Sequence, residues 1–186
     1  MIWIHFLFTI KHKNMQISTT TNKDIDEIFS FYKTASAYQK TKKKVIVWPE
    51  FKRDMVATEI TENRQFKMLI NQKVACIWAI TFSDAQIWED KNKDAAIYIH
   101  RIATNPNFRG NNFVAKIVEW AKEYVLEKNI QFIRLDTLGN NTQLIKHYKS
   151  AGFDFLGLFN LKNTSNLPAH YKLAPVCLFE IDLHRK

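Results

Sequence analysis

The chemistry of the chain reads most directly from Thr104-Asn105-Pro106-Asn107-Phe108-Arg109-Gly110-Asn111-Asn112-Phe113-Val114. This stretch leaves an apolar strand, turns at Pro106 and enters a long helical pattern. A strand–loop–helix of this kind aims unpaired N–H groups and the positive end of a helix at one spot, which suits phosphate. Arg109 adds a formal charge beside it. Many α/β loops share the arrangement, so alone it specifies an anion and nothing finer. His100, four residues upstream of Thr104, carries a side chain whose ordinary pKa lies near neutrality. Strict strand alternation places it on one face with Tyr98 and Ile102, and places Arg101 on the other, paired with an acid. A hydrogen-bonded structural histidine is the competing reading. Tyr148 shares a helical face with Leu144 and Ile145, so periodicity alone makes it a packing residue. Cys76 and Cys177 each sit in an apolar run and read as buried free thiols, too few for a disulfide framework or a zinc site.

The elements that must position these groups follow from periodicity. Met15–Ser18 reads as a first strand. Thr19–Asn22 then offers capping side chains to a helix over Lys23–Tyr38, with Ile25, Ile28, Phe29 and Tyr32 on one face. A second helix is predicted over Glu50–Glu62, turning Phe51, Met55, Val56 and Ile60 inward. Phe66–Ile70 and Val74–Phe82 flank the polar Asn71-Gln72-Lys73 and read as a hairpin. Ser83–Asp94 is polar and charged. Ala95–Thr104 is a strand, Asn112–Lys128 a long helix with Phe113, Ile117, Trp120 and Tyr124 on one stripe, and Ile130–Thr137 the next strand. Thr142–Ala151 is a short helix that Gly152 ends in the left-handed conformation, and Phe153–Leu161 and Val176–Leu183 are closing strands. The unit at 95–137 implies a right-handed parallel crossover and the hairpin is antiparallel, so a mixed α/β sheet with helices on both faces is expected.

With these elements in place, the chain resembles the GNAT superfamily of N-acetyltransferases over roughly residues 15–161. Arg109-Gly110-Asn111-Asn112-Phe113-Val114 occupies the register of that family's acetyl-CoA loop, Arg/Gln-x-x-Gly-x-Gly/Ala. Leu135-Asp136-Thr137, Asn141, Tyr148 and Gly152-Phe153 repeat the family's second pattern at the same spacings. Two positions depart from it. Asn112 stands where a small residue is usual and tolerates a left-handed backbone. Val114 stands at the other, where a β-branched side chain is expected to obstruct the approach to the pyrophosphate and weaken coenzyme A binding or displace the loop.

The resemblance implies a mostly antiparallel sheet with one splayed parallel strand pair, and acetyl-CoA as co-substrate in the split, without a metal. Ile102, Ala103 and Thr104 would hold the pantetheine arm, Arg109 through Ala115 the pyrophosphate, and Asn141 the far end of the cofactor. Tyr148 matches the family's general acid. The base that takes a proton from the attacking amine would be His100 or Asp136. The acceptor is expected over Trp48, Glu50 and Phe51 and beside Glu89. It would be a small amine, a lysine or an N-terminal amine, acetylated directly in a ternary complex.

The composition of the full chain, 186 residues with 46% hydrophobic, 13% aromatic and 24% charged, agrees with one soluble domain at residues 15–186. These values exclude global disorder. A net charge of +9 favours an anionic partner. Lys40–Lys44 motivates a nucleic-acid-binding module as a rival, but the basic residues are spread along the chain and no zinc-finger, helix-turn-helix or RNP signature appears. The second rival is a non-catalytic acyl-CoA-binding domain acting through a partner. Residues 1–14 read as an extension, either an over-called start or a surface arm, because their apolar run is far short of the ~20 residues a membrane span needs. A cytoplasmic monomer or homodimer is expected.

Overall fold

The computed structural model describes residues 15–43, 45–165 and 167–185; the expectation for residues 1–14 falls outside them. The chain runs β1 (Met15–Thr19), α1 (Ile25–Lys40), α2 (Arg53–Thr61), β2 (Gln65–Ile70), β3 (Lys73–Thr81), α3 (Ala85–Trp88), β4 (Ala96–Thr104), α4 (Phe113–Val125), β5 (Phe132–Leu138), α5 (Thr142–Ser150), β6 (Asp154–Phe159) and β7 (Val176–Asp182). The strands form one sheet in the order β1-β2-β3-β4-β5-β7-β6. Every neighbouring pair is antiparallel except β4 with β5.

Local chemistry accounts for the element ends. Thr21 donates its backbone N–H and its hydroxyl to the Asp24 carboxylate, and this arrangement opens α1. The β2–β3 turn is two residues long, since Asn71 and Gln72 both take positive φ (50° and 64°) and Lys73 already belongs to β3. That backbone matches the twist of a tight hairpin. The second helix starts at Arg53 rather than Glu50, because Lys52 is still extended.

One sheet face packs on α4, whose Phe113, Val114, Ile117, Val118, Trp120, Ala121 and Val125 are buried against Trp78, Ile97, Ile99, Ile133 and Phe179. On the other face, α1 and α2 cover Ile77 and Ala103 through Ile28, Tyr32, Val56 and Ile60. Farther along that same face, α3 together with Leu161, Leu167 and Tyr171 covers Ala96, Tyr98, Val176 and Leu178.

Two irregularities in β4 decide what lies at its end. The first is a bulge. Ile77 pairs with Ala103 but Ala79 pairs with His100, so β4 carries one residue more than β3, and Arg101 takes φ 51°. Alternation therefore breaks at Arg101. His100 stays on the Tyr98 face, whereas Ile102 turns to the α4 core, so the expected His100–Ile102 face does not form. Arg101 in turn shares the side of His100 instead of opposing it. Its expected acid partner is Glu59, whose two carboxylate oxygens both lie 2.6 Å from Nη2.

The second irregularity is a split. The parallel β4–β5 ladder holds only Ala96 with Phe132, Ile97 with Ile133, and Tyr98 with Arg134. Beyond Tyr98 and Arg134 the two strands part. Arg134, fully buried, pins the closed end. It bonds Glu180 at 2.8 Å, Asp94 at 2.6 Å and the Tyr98 hydroxyl at 3.3 Å, and its guanidinium lies 4.8 Å from the Trp88 ring centre. Each donor of so deep a cation needs such a partner.

Candidate active site

His100 and Asp136 lie two residues past the last ladder pair, one on each parting strand and on the same face of the sheet. Asp84 joins them from the loop after β3. One ligating atom from each of the three lies within 4.8 Å of the other two. The loop is held by Asn92, whose Oδ1 accepts the Asp84 backbone N–H at 2.6 Å, while the Asp84 carbonyl accepts from Ile87 and Trp88 to start α3. The Asp84 Oδ2 atom is buried without a hydrogen-bond partner, 3.7 Å from His100 Nε2. Tyr171, from the turn at Ala169–Lys172, donates its hydroxyl to Asp136 Oδ2 at 3.1 Å.

The electrostatics of this group run against ionisation. Burial, and secondarily the neighbouring Asp136, push the Asp84 carboxyl up to about 7. Burial raises Asp136 to about 6, opposed by the Tyr171 hydrogen bond. His100 is pushed down to about 3 by burial and by the cations of Arg101 and Arg64. At neutral pH the imidazole is therefore uncharged, its contact with Asp84 is not an ion pair, and it is a weak base.

Tyr148 reaches the split from the opposite layer, and the end of α5 explains how. Gly152 (φ 99°) donates its N–H to the Lys149 carbonyl, and Phe153 donates to the Tyr148 carbonyl. This is the double closure of a Schellman cap, with the buried Phe153 ring against Tyr148 at 6.1 Å. The Tyr-x-x-x-Gly-Phe spacing is thus a device that fixes the turn carrying Tyr148. Phe179 supports the ring from below at 5.1 Å. Burial and the nearby Asp136 and Cys76 hold the phenol well above its ordinary pKa, so it stays protonated. Asn141 is the N-cap of α5, its Oδ1 accepting from the N–H groups of Gln143 and Leu144 at 3.1 Å each. That oxygen is committed to the helix.

The loop from Asn105 to Asn112 is built by its own side chains. Asn105 accepts from the Asn107 N–H and donates Nδ2 to the Val74 carbonyl; Asn111 donates to the Phe108 carbonyl at 2.7 Å. Gly110 has φ 85° and open space where a side chain would begin. Asn112 takes the left-handed conformation (φ 50°, ψ 49°) directly before α4, as its residue type permits. The first N–H groups of α4 have no intrahelical acceptor. Phe113 and Val114 turn their side chains into the core, Val114 being 6% exposed. The Val114 side chain thus packs within the α4–sheet core rather than standing free in the loop. The Arg109 guanidinium lies 4.1 Å from the ring centre of Tyr38 on α1, and Lys42 lies 4.7 Å from the same ring.

The acceptor-side residues scatter. Trp48 and Phe51 pack on Tyr32 with ring centres 6.1 and 4.9 Å away, and Arg101 sits 5.5 Å from the Phe51 ring. They wall the side of the bulge. Ile46, in the same loop, approaches Gly139 at the end of β5, its Cδ1 4.0 Å from where a Cβ would stand, so this loop bridges the split. Glu50 is exposed. Glu89 is not part of the cluster; its carboxylate pairs with Lys162 at 2.7 Å. Cys76 and Cys177 are buried free thiols, as expected.

Sequence reading passed over Asp84, Tyr171, Ile46 and Tyr38. Asp84 carries one local signal, a polar pair Ser83-Asp84 before the apolar Ile87-Trp88. Nothing in its spacing ties it to a residue 52 positions away.

Comparisons with known proteins identify a family for a chain with this split sheet. The acetyltransferase (GNAT) family model matches residues 26–153. The uncharacterized N-acetyltransferase YesJ of Bacillus subtilis (strain 168) is 30% identical over 74 residues, covering 40% of this chain. The match spans 41% of that relative's length. A GNAT-family acetyltransferase from Listeria monocytogenes 4b F2365 superposes with a TM-score of 0.73 at 20% identity, covering 95% of this chain and 99% of the other. The Salmonella typhimurium acetyltransferase yncA, solved with acetyl-CoA, gives 0.65 at 11% identity over 94% and 96%. The fold is shared with both. Among the described residues no helix is long and apolar enough to cross a membrane. By its matched segment, its sheet order and the split between β4 and β5, this chain belongs to the GNAT family of acetyltransferases.

Proposed function

We propose that the protein transfers an acetyl group from acetyl-CoA to a primary amine, a small molecule or a protein lysine or N-terminus, in a ternary complex. The observation that carries this reading is the parting of β4 and β5 after Tyr98 and Arg134, with the start of α4 at one end of the gap and Asp136 and Tyr148 at the other. The residues present fit the cofactor. Gly110 leaves open space, Asn112 supplies the left-handed turn, and Arg109 adds charge where a pyrophosphate needs it. The β4 edge at Ile102, Ala103 and Thr104 faces the gap with no β5 partner, free to pair with an extended pantetheine arm. Acetyl-CoA supplies the activated acetyl group. Its transfer forms a C–N bond, breaks the C–S bond, and removes two protons from the nitrogen of an ammonium substrate.

The protein's part is to bring the amine to the gap and to place both protons. Tyr148, protonated at neutral pH, is suited to give its proton to the departing sulfur and to be restored by one proton from the nitrogen. Asp136 is suited to receive the other, and the low basicity of His100 argues against the imidazole. Trp48 and Phe51 form the wall past which the acceptor enters. A thermal-shift series with acetyl-CoA and coenzyme A, followed by thiol release with a panel of amines, tests the reading. Stabilisation by mass action together with amine-dependent thiol release is expected. Binding without release from any amine would leave an acyl-CoA-binding domain in place of an enzyme.

A further inference from the structure

We infer that Asp84, together with Asp136, forms a carboxylate pair that receives a proton of the acceptor ammonium. The inference rests on the acetyl-transfer reading and adds a proton acceptor to it. Asp84 comes from the end of β3, across the gap from β5, so the two acids approach from opposite sides of the site. Its Oδ2 is buried, unpartnered and turned toward His100 Nε2 at 3.7 Å, within the 4.8 Å cluster that contains Asp136. A buried carboxylate oxygen without a donor is costly, and an ammonium group offers the three N–H donors that such a site lacks.

The surroundings favour a shared proton. His100 and Tyr98 face the pair from β4, Tyr171 from the 169–172 turn and Tyr148 from α5, and the cations acting on His100 are Arg101 and Arg64. Arg101 is itself bound to Glu59. No described cation is paired with Asp84 or Asp136 in place of a substrate. Two carboxylates this close cannot both ionise easily, so the ionised pair takes up one proton readily. The ammonium gives its first proton to this ionised pair and becomes a neutral nucleophile. Its second proton leaves through Tyr148 as described above, and the proton on the pair passes to bulk water after the product leaves. Asn92 fixes the Asp84 backbone, so this arm of the pair is preorganised by a side chain outside the site.

The test uses the full chain labelled with carboxyl-13C aspartate, wild type and the Asp84→Asn and Asp136→Asn variants. The expected result is an aspartate in wild type that titrates near neutrality, and an Asp84 signal that moves down by about one unit in Asp136→Asn as the like charge is removed. In kinetics, Asp84→Asn should lower kcat/KM for the amine by about 10²–10⁴-fold. It should also flatten the acidic limb of the pH profile near neutrality, leaving only the lower step that Asp136 contributes alone, while acetyl-CoA affinity is unchanged, which a structural role would not do. Asp84→Glu should restore part of the limb. An Asp84 that titrates in the ordinary range and ignores Asp136→Asn, or an Asp84→Asn enzyme with the wild-type profile, overturns the inference alone. Wild-type protein that binds acetyl-CoA and acetylates no amine overturns the transfer reading, and this inference with it.

Discussion

At Tyr148 the hydroxyl and the ring have separable jobs. The ring packs on Phe153 and Phe179, whereas the hydroxyl is kept protonated chiefly by burial and then by the nearby Asp136, with no described hydrogen bond that ties it to the fold. Tyr148→Phe is therefore expected to keep the melting temperature and the acetyl-CoA affinity while lowering kcat. The loss should lie toward the lower end of about 10²–10⁴-fold, since a thiolate leaves readily. Calorimetry beside steady-state kinetics checks this, and a large drop in melting temperature would assign the hydroxyl to the fold. Asp84 carries the opposite balance. Its folded-state carboxyl, raised to about 7 from an ordinary value near 4, keeps a proton that the unfolded chain has released. Its contribution to stability accordingly falls as pH rises from about 4 to 7, and above that window a buried charge remains. Asp84→Asn should raise the melting temperature at pH 8, with the gain vanishing below pH 4. An equal effect at both pH values would show that packing, not charge, is responsible.

Among the elements, α5 shows most clearly how a local motif serves a distant site. Its N-cap is Asn141 and its C-terminal closure is Gly152-Phe153, and between them they set the height and rotation of Tyr148 at the gap. Replacing Asn141 by Ala removes the acceptor of two N–H groups and should cost about 0.5–2 kcal/mol in a urea melt. Because the same oxygen is committed to the helix, the coenzyme A dissociation constant should change little once the protein is folded. A loss of affinity in a still-stable variant would place Asn141 in the cofactor site. The bulge in β4 works similarly for the other wall. Arg101 at positive φ is tied to Glu59 and to the Tyr32 hydroxyl, which joins the strand to α1 and α2 at the point where its backbone turns toward the gap.

On the scale of the whole molecule, the chain proposed to bind the polyanionic coenzyme A carries a net charge of +9. Long-range attraction raises the association rate of such a ligand and is screened by salt. The on-rate for coenzyme A, followed by stopped flow, should therefore fall as ionic strength rises. Arg109→Ala should weaken binding by about 1.5–3 kcal/mol, the range for hydrogen bonds to charged groups. An on-rate indifferent to salt would mean that the basic residues are arranged for something other than this ligand. Two halves of one sheet meet at the split: β1 to β4 on one side, β5, β7 and β6 on the other, joined by three parallel pairs and by the Arg134 cluster. The gap begins where that cluster ends.

What the sequence determined by itself is whatever depends on near neighbours along the chain. The elements follow from periodicity, the hairpin from its polar turn, the left-handed tolerance of Asn112 from its residue type, and the position of Tyr148 from the cap that Gly152-Phe153 closes. The family pattern is legible for the same reason, being a set of short spacings. Tertiary structure alone decided the rest. The bulge at Arg101 reversed the face on which Ile102 was expected and set Arg101 beside His100, because alternation is a rule for an unbroken ladder and the register of β3 is not written in β4. It turned Val114 inward, since only the packed sheet defines which side of α4 is the core. It raised Asp84 and Asp136 together and left His100 uncharged, because burial and charge at one point in space sum over loops that the sequence holds far apart.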